Sequence, residues 1–125
     1  MKKIALILGG SGGIGKESAK AMAEMQYDLV LVQRETRANQ KLFQLEIEKL
    51  QNTGVEVTSF NLNVQNPKSL DVVAEFLEKK GKGRVKAFVY AIADANLGSL
   101  FGENALDYSD FINTMSSMAL SFVSW

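Results

Sequence analysis

The chain has 125 residues, a length that indicates about one domain, and it contains no cysteine and no histidine. Those two absences exclude disulfides, thiolate nucleophiles, serine–histidine dyads and imidazole metal ligands, so no metal site is expected. Lysine and arginine number 14, as do aspartate and glutamate, so the net charge favours neither nucleic acid nor an anionic membrane as a partner.

Four short apolar runs predict β-strands. The first, second and fourth are almost continuously apolar, which is typical of parallel strands covered on both faces, whereas the third alternates and predicts an edge strand. None approaches the roughly 20 apolar residues that a bilayer crossing needs, so we expect a cytoplasmic protein without a membrane partner. The predicted strands are Ile4–Leu8, Leu29–Val32, Val55–Phe60 and Val85–Ile92.

Longer polar segments with helical periodicity separate these runs. Asn66 and Pro67 predict the N-cap and first position of the third helix, and Gly81 predicts its end. The alternation of strands and helices predicts an α/β fold with a parallel sheet and right-handed crossovers. The first two helices are predicted over Ile14–Met25 and Arg37–Asn52.

The last predicted helix begins near Asp107 and differs from the others. It has a wide apolar face, and its opposite face carries no charge after Asp110. Since a solvated helix face usually carries Lys or Glu, we expect both faces to be covered, either in the core or at a subunit interface. The preceding residues Gly98–Asn104 predict a loop that could act as a lid or contact a substrate.

The strongest motif is the sequence LGGSGGIGK over residues 8–16, where the first strand meets the first helix. A helix N-terminus presents unpaired N–H groups and the positive end of the helix dipole, and both bind phosphate. Glycine permits a tight turn and a close approach of phosphate to the backbone. Five glycines in seven residues exceed what a plain turn requires, so the motif predicts nucleotide binding.

Three glycine registers overlap in this loop. GxGxxG from residue 10 and GxxxGxG from residue 9 are both dinucleotide patterns. GxxxxGK from residue 10 resembles a P-loop, with Asp94 after an apolar strand as in a Walker B motif. Glu17 stands where the P-loop requires a Ser or Thr hydroxyl for Mg²⁺. The dinucleotide interpretation is therefore preferred, and a P-loop protein is the weaker alternative.

The second predicted strand is followed by Gln33, Arg34 and Glu35. In a dinucleotide fold, an acidic residue near this point binds the ribose hydroxyls of NAD, whereas an arginine accommodates the 2′-phosphate of NADP. Arg34, with possible help from Arg37, favours NADP(H) over NAD(H). Glu35 leaves NAD(H) open because it could take the acidic role.

Together these residues resemble the short-chain dehydrogenase/reductase family. The Gly9-x-x-x-Gly13-Ile14-Gly15 register is similar to that family's cofactor loop, with Leu8 in place of the usual threonine. Residues 63–67, Asn-Val-Gln-Asn-Pro, resemble the family's Asp-Val stretch after the third strand. The resemblance implies that Asn63 and Val64 contact the adenine.

The fourth strand departs from the family's common Asn-Asn-Ala-Gly sequence. Its residues 90–93, Tyr-Ala-Ile-Ala, are closer to the divergent branch that contains the enoyl-acyl-carrier-protein reductases. Ser116 falls at the position of the family's active-site asparagine, where it could hold a water in a proton relay or, preferably, serve packing. The cofactor residues implied are Gly9, Ser11, Gly13, Ile14, Gly15, Arg34, Asn63, Val64, Ala91, Ile92 and Ala93.

The resemblance implies a Rossmann-like, doubly wound sheet in the order 3-2-1-4, with the family's later strands absent, as one incomplete domain over residues 1–125. The family's catalytic Ser and Tyr-x-x-x-Lys fall after Trp125, so the chain alone is expected to be inactive. The full protein is expected to be an NADP(H)-dependent oxidoreductase that reduces a carbonyl (3-oxoacyl-like) or enoyl substrate, such as an acyl thioester. The alternative is a non-catalytic dinucleotide-binding module. The apolar fourth-strand edge and the last helix predict a homo-oligomer.

Overall fold

The computed structural model describes residues 1–125, which form two compact units, Met1–Ala91 and Ile92–Trp125. No helix is both long and apolar enough to cross a membrane. The strands are β1 (Ile4–Leu8), β2 (Asp28–Gln33), β3 (Val57–Asn61) and β4 (Val85–Tyr90). The helices are α1 (Gly13–Glu24), α2 (Arg37–Gln51), α3 (Pro67–Lys80), α4 (Tyr108–Met115), a π-helical turn (Ser116–Leu120) and α5 (Ser121–Ser124).

The first unit is built on a parallel sheet in the order β3-β2-β1-β4, which confirms the predicted α/β fold and strand order. The two central strands, β1 and β2, are buried at every position. Their near-continuous apolar sequence suits the centre of a sheet that helices cover on both faces. The core is formed by Ala5, Ile7, Ala19, Ala23, Leu29, Leu31, Leu50 and Val55.

The two outer strands differ in how well the sequence predicted them. The alternating β3 is an edge strand, as expected, and none of its residues is fully buried. β4 is the opposite edge, as the predicted strand order requires, but its faces are not both covered in this chain, because Val85 and Phe88 are each 37% exposed. Burial depends on neighbouring elements, which apolar composition alone does not reveal. β4 also ends at Tyr90, although Ala91 N–H still donates to the Leu8 carbonyl at 2.9 Å.

Local signals placed the helix ends to within about one residue. The Asn66 side chain accepts a hydrogen bond from Lys68 N–H at 3.0 Å, so it caps α3 as predicted. Pro67 follows at the first helical position, and Gly81, with φ of 126°, ends the helix. These contacts satisfy backbone groups that a helix end otherwise leaves unpaired.

The second unit contains the predicted loop and the last helix. Asp107 caps α4 through a reciprocal capping box with Asp110. Within this chain α4 buries no residue and Ser117 is the only buried residue of the unit, so the chain's own core does not cover the last helix. Coverage at a subunit interface, the other expected arrangement, stays a prediction. The helix is also interrupted by the π-helical turn, which its sequence pattern did not predict.

An ion pair between Arg84 and Asp28 joins the amino ends of the strands. Arg84 Nη2 donates to Asp28 Oδ2 at 2.9 Å, and these side chains are only 14% and 12% exposed. Arg84 also donates to the carbonyls of Lys2 at 3.0 Å and Lys80 at 3.1 Å. Asp28 Oδ1 accepts from Glu56 N–H at 2.9 Å. Together these contacts connect residues at or just before the start of all four strands.

Candidate functional site

The glycine loop lies at the carboxyl end of β1. Gly9, with φ of 85°, donates its N–H to the Val32 carbonyl at 2.7 Å, which ties the loop to the end of β2. Gly12 precedes α1 in an extended conformation and has no side chain that could cap the helix. The N–H groups of the first turn therefore lack a side-chain cap, and a helix start of this kind binds anions.

Gly15 fixes the packing of α1 against the loop. A Cβ atom at this position would lie 1.9 Å from the Gly9 carbonyl oxygen and 2.6 Å from its carbon. Both atoms are backbone and cannot move aside as a flexible side chain would. Gly12, by contrast, has open space around a hypothetical Cβ. Residue 15 must therefore be glycine so that the start of α1 can lie against the Gly9 carbonyl, while residue 12 is sterically unrestricted.

Hydrogen bonds connect the carboxyl ends of β1, β2 and β3. The Ser11 hydroxyl donates to the Glu35 carboxylate. Glu35 N–H donates to Asn61 Oδ1 at 3.0 Å, and Asn61 Nδ2 donates to the Glu35 carbonyl at 3.2 Å. In open α/β sheets, ligands bind in the crevice at this edge. The site therefore places a carboxylate and a hydroxyl together beside the glycine loop.

Sequence reasoning missed Gln33, the last residue of β2. It is 4% exposed, and its Oε1 atom is buried without a hydrogen-bond partner. A buried unpaired acceptor is costly and rare, so it marks a position where a ligand hydroxyl or amide could supply the missing donor. The signal available in the sequence was a lone amide side chain at the end of a buried apolar strand. The adjacent Arg34 is exposed, and its side chain makes no hydrogen bond or ion pair.

A groove of about 700 Å³ adjoins Ser11 and Glu35 and extends along α2. Lys16 and Lys49 both approach the Glu46 carboxylate, at 3.7 and 3.2 Å. The hydrogen bond from Lys49, followed by the charges of Lys16 and Lys49, holds the pKa of Glu46 below its usual 4.5. The remaining lining residues are Asn39, Leu42, Phe43, Leu45, Glu48 and Asn52.

The other predicted cofactor residues of the first unit follow β3 and β4. Asn63 is exposed, and its Oδ1 accepts from Gln65 N–H at 3.0 Å. Val64 is 9% exposed. Ala91 pairs with Leu8, as described above. Because the strands are parallel, these residues lie at the carboxyl ends of the strands, as do the glycine loop and Arg34.

Three predicted residues belong to the second unit. Ile92 and Ala93 are its first two residues. Ser116 is half-buried at the start of the π-helical turn and makes no side-chain hydrogen bond. Its neighbour Ser117, which the sequence did not single out, is buried and hydrogen-bonds the Asp94 and Asn113 carbonyls. π-helical turns are frequent at functional sites. In this turn, however, the hydroxyl held by hydrogen bonds is that of Ser117 and not that of the predicted Ser116.

The sequence matches the family model of the short chain dehydrogenases over residues 3–123. The chain therefore belongs to the short-chain dehydrogenase family. This membership favours the dinucleotide register of the glycine loop over the P-loop alternative.

Individual relatives agree with this family. The chain is 26% identical over 120 residues to the short chain dehydrogenase pgmD of Aspergillus terreus, an alignment that covers 94% of this chain and 38% of that protein. Among solved structures, ElxO with NADP bound matches with a TM-score of 0.78 and 22% identity, over 98% of this chain and 47% of ElxO. A Brucella melitensis 3-oxoacyl-[acyl-carrier protein] reductase in complex with NAD matches with a TM-score of 0.78 and 22% identity, over 98% of this chain and 46% of the reductase. The chain thus spans less than half the length of these relatives.

Proposed function

We propose that this chain is the cofactor-binding part of an NADP(H)-dependent oxidoreductase that reduces a carbonyl, 3-oxoacyl-like or enoyl substrate, such as an acyl thioester. The observation that carries the proposal is the glycine loop, in which an uncapped first turn of α1 opens at the carboxyl edge of the sheet. The solved relatives support a nicotinamide dinucleotide, because one was solved with NADP and another with NAD. The 3-oxoacyl-[acyl-carrier protein] reductase among them supports the substrate class.

The residues of the site fit such a cofactor. The N–H groups at the start of α1 bind the pyrophosphate, assisted by the helix dipole. The buried Gln33 Oε1 accepts from a ribose hydroxyl, which removes its unpaired state. Arg34, exposed and unpaired, binds the 2′-phosphate. The family resemblance supports Asn63 and Val64 as the residues that would contact the adenine. The nicotinamide ring supplies the hydride when the cofactor is bound.

The choice of NADP(H) over NAD(H) is tested by removing Arg34. We expect Arg34→Ala to weaken NADPH binding roughly tenfold or more and to change NADH binding by less than about threefold, since a charge-assisted hydrogen bond contributes about 1.5–3 kcal/mol. Affinities are measured by fluorescence titration with each dinucleotide. Lys82→Ala is the matched control. Lys82 is an exposed, unpaired cation that precedes β4, so it lies at the amino ends of the strands and away from Arg34. An unchanged NADPH preference in Arg34→Ala would contradict the assignment.

We further propose that the chain self-associates through the exposed β4 edge or the last helix. The β4 edge lacks a neighbouring strand, and the last helix exposes Phe111, Ile112, Met115 and Phe122. Unprotected apolar edges and faces of this kind favour association. Light scattering over a concentration series should detect a dimer or larger species. Phe111→Lys is expected to shift it toward the monomer if the helix mediates contact, and Val85→Lys if the edge does. A monomer at the highest concentration would contradict this proposal.

A further inference from the structure

We infer that Asn61 is a positioning residue for cofactor selection: its side-chain amide holds Glu35 against the glycine loop, where the carboxylate disfavours a 2′-phosphate. The inference rests on the proposed binding of a nicotinamide dinucleotide. Neither the family match nor the sequence patterns assign Asn61 a role, and it lies two residues before the stretch that resembles a family motif.

The Asn61 amide continues the pairing of β2 with β3 beyond the end of the ladder. The last paired residues are Gln33 and Asn61, and Leu62 N–H donates to the Gln33 carbonyl at 2.9 Å. Two residues past Gln33, both backbone groups of Glu35 bond to the Asn61 side chain, at 3.0 and 3.2 Å. A carboxamide has the same donor and acceptor as a peptide group, so it can replace a strand partner. Asn61 thus fixes the backbone at residue 35.

The fixed backbone determines which side chain reaches the glycine loop. Glu35 is half-buried, and its carboxylate accepts a hydrogen bond from the Ser11 hydroxyl. Arg34, one residue earlier, is exposed and has no partner. Asn61 therefore acts on cofactor choice through Glu35.

A carboxylate at this position distinguishes the two cofactors. The 2′-phosphate of NADP is anionic and accepts hydrogen bonds, so it is repelled by Glu35 and competes with it for the hydrogen bond from the Ser11 hydroxyl. The ribose hydroxyls of NAD are neutral and can donate to the carboxylate instead. Arg34 favours the phosphate while Glu35 opposes it, and the preference reflects the balance between these adjacent residues. Loss of the two hydrogen bonds from the Asn61 side chain frees the backbone of Glu35 and shifts the cofactor preference toward NADP.

The test is a double-mutant cycle that measures the ratio of NADPH affinity to NADH affinity by fluorescence titration. We expect Glu35→Gln to raise the ratio about tenfold and Asn61→Ala to raise it roughly three- to tenfold. In the Glu35→Gln background, Asn61→Ala should change the ratio by less than about twofold, because Asn61 acts through the charge of Glu35. Ser59→Ala is the matched control: Ser59 is an exposed residue of β3 two positions earlier and makes no side-chain hydrogen bond.

A second measurement separates positioning from a general loss of stability. In the chain without ligand, Glu35 N–H donates to Asn61 Oδ1, so Asn61→Ala should accelerate amide hydrogen exchange at Glu35 while core amides of β1 and β2 stay protected. If Asn61→Ala does not fold, Asn61→Ser, whose side chain is too short to reach both groups, is used in the same way.

The outcomes distinguish this inference from the proposed function. If the folded wild-type chain binds neither dinucleotide, the proposed function fails. If it binds them, an affinity ratio that Asn61→Ala leaves unchanged overturns the inference. A ratio that Asn61→Ala shifts equally with Glu35 and with Gln at position 35 also overturns it, because Asn61 then acts by another route.

Discussion

Gly15→Ala is expected to abolish dinucleotide binding and to destabilise the first unit. The added Cβ would lie 1.9 Å from the Gly9 carbonyl oxygen, so the start of α1 and the loop cannot keep their present separation. Overpacking of this kind typically costs about 1–3 kcal/mol, and contact with backbone places the cost at the upper end. Moving the first turn away also removes the aligned N–H groups that bind phosphate. NADPH titration and thermal unfolding measure the two effects.

Gly12→Ala is the matched control for this substitution. Gly12 belongs to the same loop, but its backbone has φ of −159°, which any residue adopts, and no atom lies within 4 Å of an added Cβ. Alanine there should leave the unfolding midpoint almost unchanged. The steric account of the loop would be wrong if Gly15→Ala bound NADPH as tightly as Gly12→Ala.

At the amino ends of the strands, opposite the glycine loop, Arg84→Met should cause the largest loss of stability. It leaves the Asp28 carboxylate, which is 12% exposed, without its cationic partner, and it removes the donors to the Lys2 and Lys80 carbonyls. Breaking a buried ion pair costs about 3–5 kcal/mol, and partial exposure places this one near the lower value. Urea unfolding measures the difference.

Two further variants test whether that loss comes from the buried charge. Asp28→Asn combined with Arg84→Met should recover part of the stability, because the neutral amide is less costly to bury than an unpaired carboxylate. Lys79→Ala breaks the Lys79–Glu75 pair, whose side chains are 74% and 68% exposed, and should give no measurable change. Equal effects of Arg84→Met and Lys79→Ala would contradict the assigned role of the Arg84–Asp28 pair.

The sequence predicted features that depend on local chemistry. The apolar runs of β1 and β2, the Asn66 cap of α3 and the glycine loop each act over a few residues, and the structure has all three. The 3-2-1-4 strand order came from the family resemblance and is also observed.

Features that depend on contacts between distant segments were not predictable in the same way. The hydrogen bond from the buried Ser117 hydroxyl to the Asp94 carbonyl joins residues 23 positions apart. The place of β4 at an edge of the sheet, by contrast, was expected from the 3-2-1-4 order and is observed. The hydrogen bonds between Asn61 and Glu35 follow from the register of β2 against β3, which no single segment encodes. The sequence shows Gln33 as a lone amide at the end of an apolar strand, and the structure adds that its side-chain acceptor is buried and unpaired.

The parallel sheet gives the first unit two chemically different rims. The Arg84–Asp28 network holds together the rim where the strands begin, whereas Ser11, Gln33 and Glu35 occupy the rim where the strands end. Substitutions confined to the second rim, with residue 15 kept as glycine, should therefore test the proposed dinucleotide preference without touching the Arg84–Asp28 network. Because the strands are parallel, the residues proposed to select the ligand and the residues that hold the strands together lie at opposite ends of the sheet.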